Sequence, residues 1–166
     1  MATMDNLKEA FAGESQANRK YLAFAKKAEE EGFVQVAKLF RAAAEAETVH
    51  AHAHLRAMDG IKGTAENLKA AIEGEGFEFQ QMYPKFLAEA QQESMKPAEF
   101  SFKYALAVEE IHHRLYSRAL EAIEAGNDMP AASVYVCPVC GTTVEGGVPD
   151  RCPICNVPGK RFVEIA

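Results

Sequence analysis

Four cysteines fall in the last thirty residues as two Cys-x-x-Cys pairs, Cys137/Cys140 and Cys152/Cys155, and the chain has no others. Thiolates three residues apart grip one ion from a tight backbone turn, and two such pairs complete a tetrahedron, so the spacing predicts a tetrathiolate metal site. The ligands by themselves suit either inert Zn or a single redox-active Fe. Upstream, Glu47-x-x-His50 and Glu109-x-x-His112 place a carboxylate and an imidazole on one helix face. Both belong to an internal repeat: Phe40 and Phe102 each precede the glutamate by seven residues and the histidine by ten. The other helix of each half carries Gly13-Glu14 followed by Tyr21 and Phe24, or Gly74-Glu75 followed by Tyr83 and Phe86.

A single Glu-x-x-His in so acidic a chain reads as a solvated surface pair. Duplication changes that reading. Two helices offering Glu and two offering Glu-x-x-His are the ligand set of a dinuclear carboxylate centre in a helical bundle. Two di- or trivalent ions need several carboxylates for charge balance and neutral imidazoles to cap them. The glutamates lie among Ala43, Ala44, Ala46, Leu106, Ala107 and Val108, where unpaired buried carboxylates would cost several kcal/mol each. Metal offsets that cost. Glu78, three residues after Glu75, adds a further carboxylate to the second half. Tyr21 and Tyr83, aligned by the repeat, are expected to point toward the site, either as groups behind the ligands or as core aromatics. His52 lies about 200° around the helix from His50, and His113 about 100° from His112, so both are expected to face solvent. His54 is a surface residue or a neighbour of the site, and Glu45 and Glu110 are exposed.

Four amphipathic helices must position these groups, over roughly 5–30, 34–59, 65–94 and 98–125, punctuated by Glu31-Gly32, Gly60 to Thr64 and Met95-Lys96-Pro97. After Gly126 to Pro130 short β-rich pieces, Val134 to Val136 and Arg161 to Ile165, surround the cysteines. This predicts two domains, 1–130 and 131–166. The second is too small for a self-sufficient core and should depend on its metal to fold.

Composition bounds the rest. At 166 residues, 48% hydrophobic and 25% charged, the chain is that of a globular protein. A net charge of -6 argues against nucleic acid or an anionic membrane surface as partner. No segment has the length of a membrane span and the polar N-terminus lacks a secretory apolar stretch, so a cytoplasmic location is expected. Four cysteines that must remain thiolates suit a reducing compartment.

The sequence resembles the rubrerythrin family over nearly its whole length. The resemblance is carried by Phe11-Ala-Gly-Glu14-Ser-Gln-Ala, Glu47-x-x-His50-Ala, Glu73-Gly-Glu75-x-x-Glu78-x-x-x-Met82-Tyr83-Pro84, Glu109-Glu-x-His112, Cys137-Pro-x-Cys140-Gly and Cys152-Pro-x-Cys155. It implies a mostly α protein, a ferritin-like four-helix bundle holding a non-haem di-iron centre, followed by a small rubredoxin-like module with one Fe. It further implies a peroxidase that reduces hydrogen peroxide to water in oxidative stress defence. The implied di-iron ligands are Glu14, Glu47, His50, Glu75, Glu78, Glu109 and His112, with His50 and Glu78 exchanging at one iron as its oxidation state changes. Electrons are implied to come from an external donor, a rubredoxin or an NAD(P)H-dependent reductase. They are then expected to cross between subunits, since family members place the thiolate iron of one chain near the di-iron site of its partner.

The link from Gly60 to Thr64 is too short to carry the third helix to the far end of a bundle about 37 Å long. A homodimer that exchanges helix pairs is therefore expected, against an up-down-up-down monomer. Two other functions fit parts of the sequence. Ferritin-like iron oxidation and storage would use the bundle but not a one-electron thiolate site, and a zinc-ribbon adaptor would use the cysteines but not the duplicated carboxylates.

Overall fold

The computed structural model describes residues 2–166. The elements are α1 (Ala2–Glu30), α2 (Val34–Ala57), α3 (Thr64–Phe77), a π-helical turn (Glu78–Met82), α4 (Tyr83–Gln92), α5 (Lys96–Glu124), β1 (Val134–Val136), β2 (Thr143–Glu145), a 3-10 turn (Gly159–Arg161) and β3 (Val163–Ile165). The chain divides into two compact units, residues 1–62 and 63–166. No described helix is long and apolar enough to cross a membrane.

The first unit is the α1/α2 hairpin. Its seam is made of small residues: Ala37, Ala44 and Ala51 recur every seven positions on α2 and meet Asn18, Ala25 and Ala28 of α1, all buried. Small side chains at this spacing let two helices approach closely along their length. Asn18 bridges the seam, its Nδ2 donating to the Ala44 carbonyl at 2.7 Å and to the Thr48 hydroxyl at 2.8 Å. The large apolar residues flank the seam and stay open to solvent, with Leu39 70% and Phe24 47% exposed.

In the second unit α3, the π turn and α4 form one helical path packed on α5. His113, expected at the surface, is half-buried in this packing. Its ring meets Phe79 edge-on at 5.3 Å and packs over Gly76, 3.4 Å from the ideal Cβ position. An angle of about 100° from His112 turns His113 toward the neighbouring helix rather than to solvent.

Each unit carries a matching aromatic trio. Tyr21, Phe24 and Phe40 have ring centroids 5.6 to 6.4 Å apart, as do Tyr83, Phe86 and Phe102. The helices stop at residues in the left-handed region, Gly32, Asp59, Ser94 and Gly126, each followed by an N–H that bonds back to a carbonyl five residues earlier. Two of these positions are not glycine. Asp59, not the neighbouring Gly60, takes the positive φ after α2.

The sheet order is β2-β1-β3, all antiparallel. Strand β2 was not anticipated from the sequence, being only three residues long between two turns. The module packs on α5 through alternate residues. Gly141 faces Val108, Thr143 reaches His112, and Glu145 pairs with Arg118 at 2.9 Å. A two-residue strand period here meets a helical face, so every second residue of the strand touches α5.

Candidate metal centres

The four cysteine sulfurs converge, and none is in a disulfide. Cys137 and Cys155 Sγ are 3.6 Å apart, and Cys140 and Cys152 Sγ 3.5 Å. Sulfurs held about 2.3 Å from one tetrahedral ion stand about 3.8 Å apart, so the cluster has the dimensions of a tetrathiolate cage. Two equivalent turns build it. Gly141 N–H donates to the Cys137 carbonyl at 2.9 Å and Asn156 N–H to the Cys152 carbonyl at 2.9 Å, with Gly141 at φ 85° and Asn156 at φ 62°. Asparagine tolerates this conformation better than most residues with a side chain. Burial raises Cys140, and it pushes Cys155 up to about 12 with help from the neighbouring thiols. Cys152 is opposed by burial too, yet the backbone N–H groups of Cys155 and Ile154 and the Thr142 hydroxyl outweigh it and bring it down to about 6. These donors favour negative charge on sulfur, the form that binds metal. Thr142, 1% exposed, lies 3.0 Å from Cys140 Sγ and 3.6 Å from Cys152 Sγ.

The carboxylates and histidines form two trios, one in each unit: Glu14, Glu47 and His50, and Glu75, Glu109 and His112. Within each trio the potential ligand atoms lie within 4.8 Å of one another. Their internal geometry repeats closely. Nδ1 of His50 is 2.9 Å from Glu47 and 4.0 Å from Glu14; Nδ1 of His112 is 2.9 Å from Glu109 and 3.8 Å from Glu75.

The second trio crowds carboxylates into a partly buried site. Glu75 Oε2 is buried with no hydrogen-bond partner. Burial first, then contact with Glu109 and the charge of Glu78, pushes the Glu75 carboxyl up to about 8. Glu78 and Tyr83 are raised as well, each first by burial and then by the surrounding carboxylates. Carboxylates crowded into a partly buried site resist ionising together unless positive charge is supplied. The donor set, oxygen and imidazole nitrogen, suits iron in the +2 or +3 state. Both sites therefore fit the metals their ligand types imply.

Glu78 stands outside the trio and opens the π turn beside Glu109. Tyr21 and Tyr83 sit in the aromatic trios. Tyr83 also feels Glu78, Glu109 and Glu75, which keeps its hydroxyl protonated. His52, Glu45 and Glu110 are exposed as expected, and His54 is half-buried. The sequence reading missed Thr143. Its hydroxyl is 3.0 Å from His112 Nε2 and links the thiolate module to the trio of its own chain. The module is seated on the α5 of its own chain.

Residues 5–120 match the family model for rubrerythrin, and residues 135–163 match the model for the rubrerythrin rubredoxin-like domain. The chain is 36% identical to rubrerythrin-2 of Clostridium acetobutylicum, an alignment covering 96% of this chain and 95% of that one. It is 35% identical to nigerythrin of Nitratidesulfovibrio vulgaris, over 97% and 85% of the two chains. A solved structure of nigerythrin in a mixed-valent state superposes with a TM-score of 0.58 at 34% identity, covering 98% of this chain and 86% of that one. With a Glu/Glu/His trio in each of its helical units and a rubredoxin-like tetracysteine cage toward its C-terminus, this chain belongs to the rubrerythrin family.

Proposed function

We propose that the protein is a non-haem di-iron peroxidase that reduces hydrogen peroxide to water in oxidative stress defence. The observation that carries this reading is the pairing of two matched carboxylate–histidine trios with a tetracysteine cage in one chain. Glu14, Glu47, His50, Glu75, Glu78, Glu109 and His112 would hold two irons, and Cys137, Cys140, Cys152 and Cys155 a third. Bound iron would supply one-electron steps at the thiolate site and two electrons together at the paired site. The chain's own groups prepare that chemistry. The carboxylates balance the charge, and Tyr83 offers a protonated hydroxyl near Glu78 and Glu109. Cys140, the three residues after it and the hydrogen bond between Thr143 and His112 make a short route from cage to trio. Electrons enter from an external donor, a rubredoxin or an NAD(P)H-dependent reductase.

The functional unit in this reading is a homodimer in which helix pairs are exchanged, α1 and α2 of one chain completing the centre with α3 to α5 of the other. Between Ala57 and Thr64 the chain reaches at most about 25 Å, while α2 is about 36 Å long. The open apolar flanks of the first hairpin, Leu39 and Phe24 among them, gain a cover by such exchange. The domains are 1–130 and 131–166, and the location is a reducing cytoplasm.

Stopped-flow mixing tests the activity. The fully reduced protein should be reoxidised much faster by hydrogen peroxide than by dioxygen. Equal rates with the two oxidants would point instead to ferritin-like iron oxidation and storage. Purified protein that holds zinc alone would leave only a structural adaptor.

A further inference from the structure

The two trios are alike at their ligand atoms and differ behind the histidine. His50 is 56% exposed at its side chain, and among the described residues of its hairpin its partners, Glu47 and Glu14, are at Nδ1. His112 is 26% exposed and engaged from both sides, Nδ1 toward Glu109 and Glu75 and Nε2 on the Thr143 hydroxyl at 3.0 Å. That hydroxyl is in turn 3.3 Å from the Gly141 carbonyl. A hydroxyl has one proton. A carbonyl can only accept, so Thr143 donates to Gly141 and presents a lone pair to His112. Nε2 must then carry a proton, which leaves Nδ1, 2.9 Å from Glu109, as the nitrogen that would bind an ion held by the two carboxylates.

We propose that Thr143 is a positioning residue for the carboxylate centre: the docked tetracysteine module holds His112 in the tautomer that offers Nδ1 to metal. The inference rests on the metal-centre part of the proposed function and not on peroxide chemistry. It makes the module more than an electron relay. Thr143 follows Thr142, whose hydroxyl touches Cys140 and Cys152, and Gly141, whose N–H closes the first cysteine turn. Forming the cage therefore sets the strand that carries the Thr143 hydroxyl to α5. Val108 against Gly141 and Arg118 with Glu145 hold that strand on either side of it. Partners behind a metal-binding histidine generally fix its tautomer and orientation, and their loss weakens metal binding about 10- to 100-fold.

The test uses the full-length protein labelled with 15N-histidine, metal-free and loaded with Zn(II), as wild type, Thr143→Val and Thr143→Ser. Long-range 1H–15N spectra report the His112 tautomer, and chelator competition reports affinity at the carboxylate site. Co(II)–thiolate absorption checks the cage independently. The expected result for Thr143→Val is mixed His112 tautomers and carboxylate-site affinity lower by about tenfold or more, with an unaltered cage. Thr143→Ser should restore both. Wild-type affinity with a single Nε2–H tautomer in Thr143→Val would overturn the inference. A Thr143→Ser variant as weak as Thr143→Val would also overturn it, because packing rather than the hydroxyl would then be responsible. If Thr143→Val disturbs the cage, the serine variant decides alone. A wild-type chain that takes up metal only at its cysteines would fail the proposed function, and the tautomer difference between wild type and Thr143→Val would still settle the role of Thr143.

Discussion

At the scale of single residues, Glu75 connects the geometry to a measurable pH dependence. Its carboxyl, ordinarily near 4.5, is pushed up to about 8 in the metal-free fold by burial and by Glu109 and Glu78. Between those values the folded chain keeps a proton that the unfolded chain has lost. This group's contribution to stability is therefore fully present below 4.5 and is lost as pH rises through about 8. Metal-free protein should melt at progressively lower temperature over that window. Glu75→Gln should flatten the dependence, and so should loading with Zn(II), which supplies the positive charge; calorimetry of the three samples checks it, and equal slopes would refute it. The cage offers a second residue-scale prediction. Cys152→Ser should abolish steady-state turnover with an external donor while single-turnover oxidation of the pre-reduced protein by peroxide survives. Loss of both in stopped-flow traces would mean the cage and the trios do not act as relay and reactor.

At the scale of elements, the π turn explains the one place where the internal repeat is unequal. Seven residues separate Glu14 from Tyr21, whereas eight separate Glu75 from Tyr83. Yet Tyr83, Phe86 and Phe102 pack as Tyr21, Phe24 and Phe40 do. A turn with one extra residue, Glu78–Met82, absorbs the insertion and returns the helix to register before α4. Glu78 opens that turn, so the insertion also shapes where the additional carboxylate stands. Deleting Gln81, an exposed residue within the turn, should convert the segment to regular α-helix at a cost of less than about 1 kcal/mol, since the strained turn disappears and the aromatic register is kept. Chemical denaturation measures this, and a loss of several kcal/mol would contradict an absorbed insertion. The irregularity was legible in the sequence as a difference of one between two spacings. What that difference became, a bulge, a kink or a shifted helix, was not.

At the scale of the whole molecule, exchange of helix pairs makes a prediction by complementation. Glu47→Ala and Glu109→Ala should each disrupt the carboxylate centre in a homodimer. In a mixed dimer with exchanged pairs, one centre collects both lesions and the other collects none. Co-expression of the two variants with random pairing should therefore restore metal to about a quarter of all carboxylate centres. Metal analysis after tandem affinity purification of the mixed dimer should then find about half of its carboxylate centres loaded. No restoration would mean that each centre is built within one chain. Electron entry then has a definite geometry under exchange, since the cage sits on the α5 of its own chain, beside Glu109 and His112.

The sequence alone determined the ligand types, their grouping into two repeats and a cage, and the four helical stretches. Metal binding demands particular side chains at i, i+3 spacing, and that spacing is local geometry which a string of residues already contains. The tertiary structure alone decided that His113 tucks against Gly76 and Phe79, that Asp59 rather than Gly60 ends α2, and that Thr143 meets His112. Thr143 and His112 are 31 positions apart and joined by no shared pattern. Their contact follows from docking a three-residue strand on a helix face, and only the packed chain brings those two surfaces together.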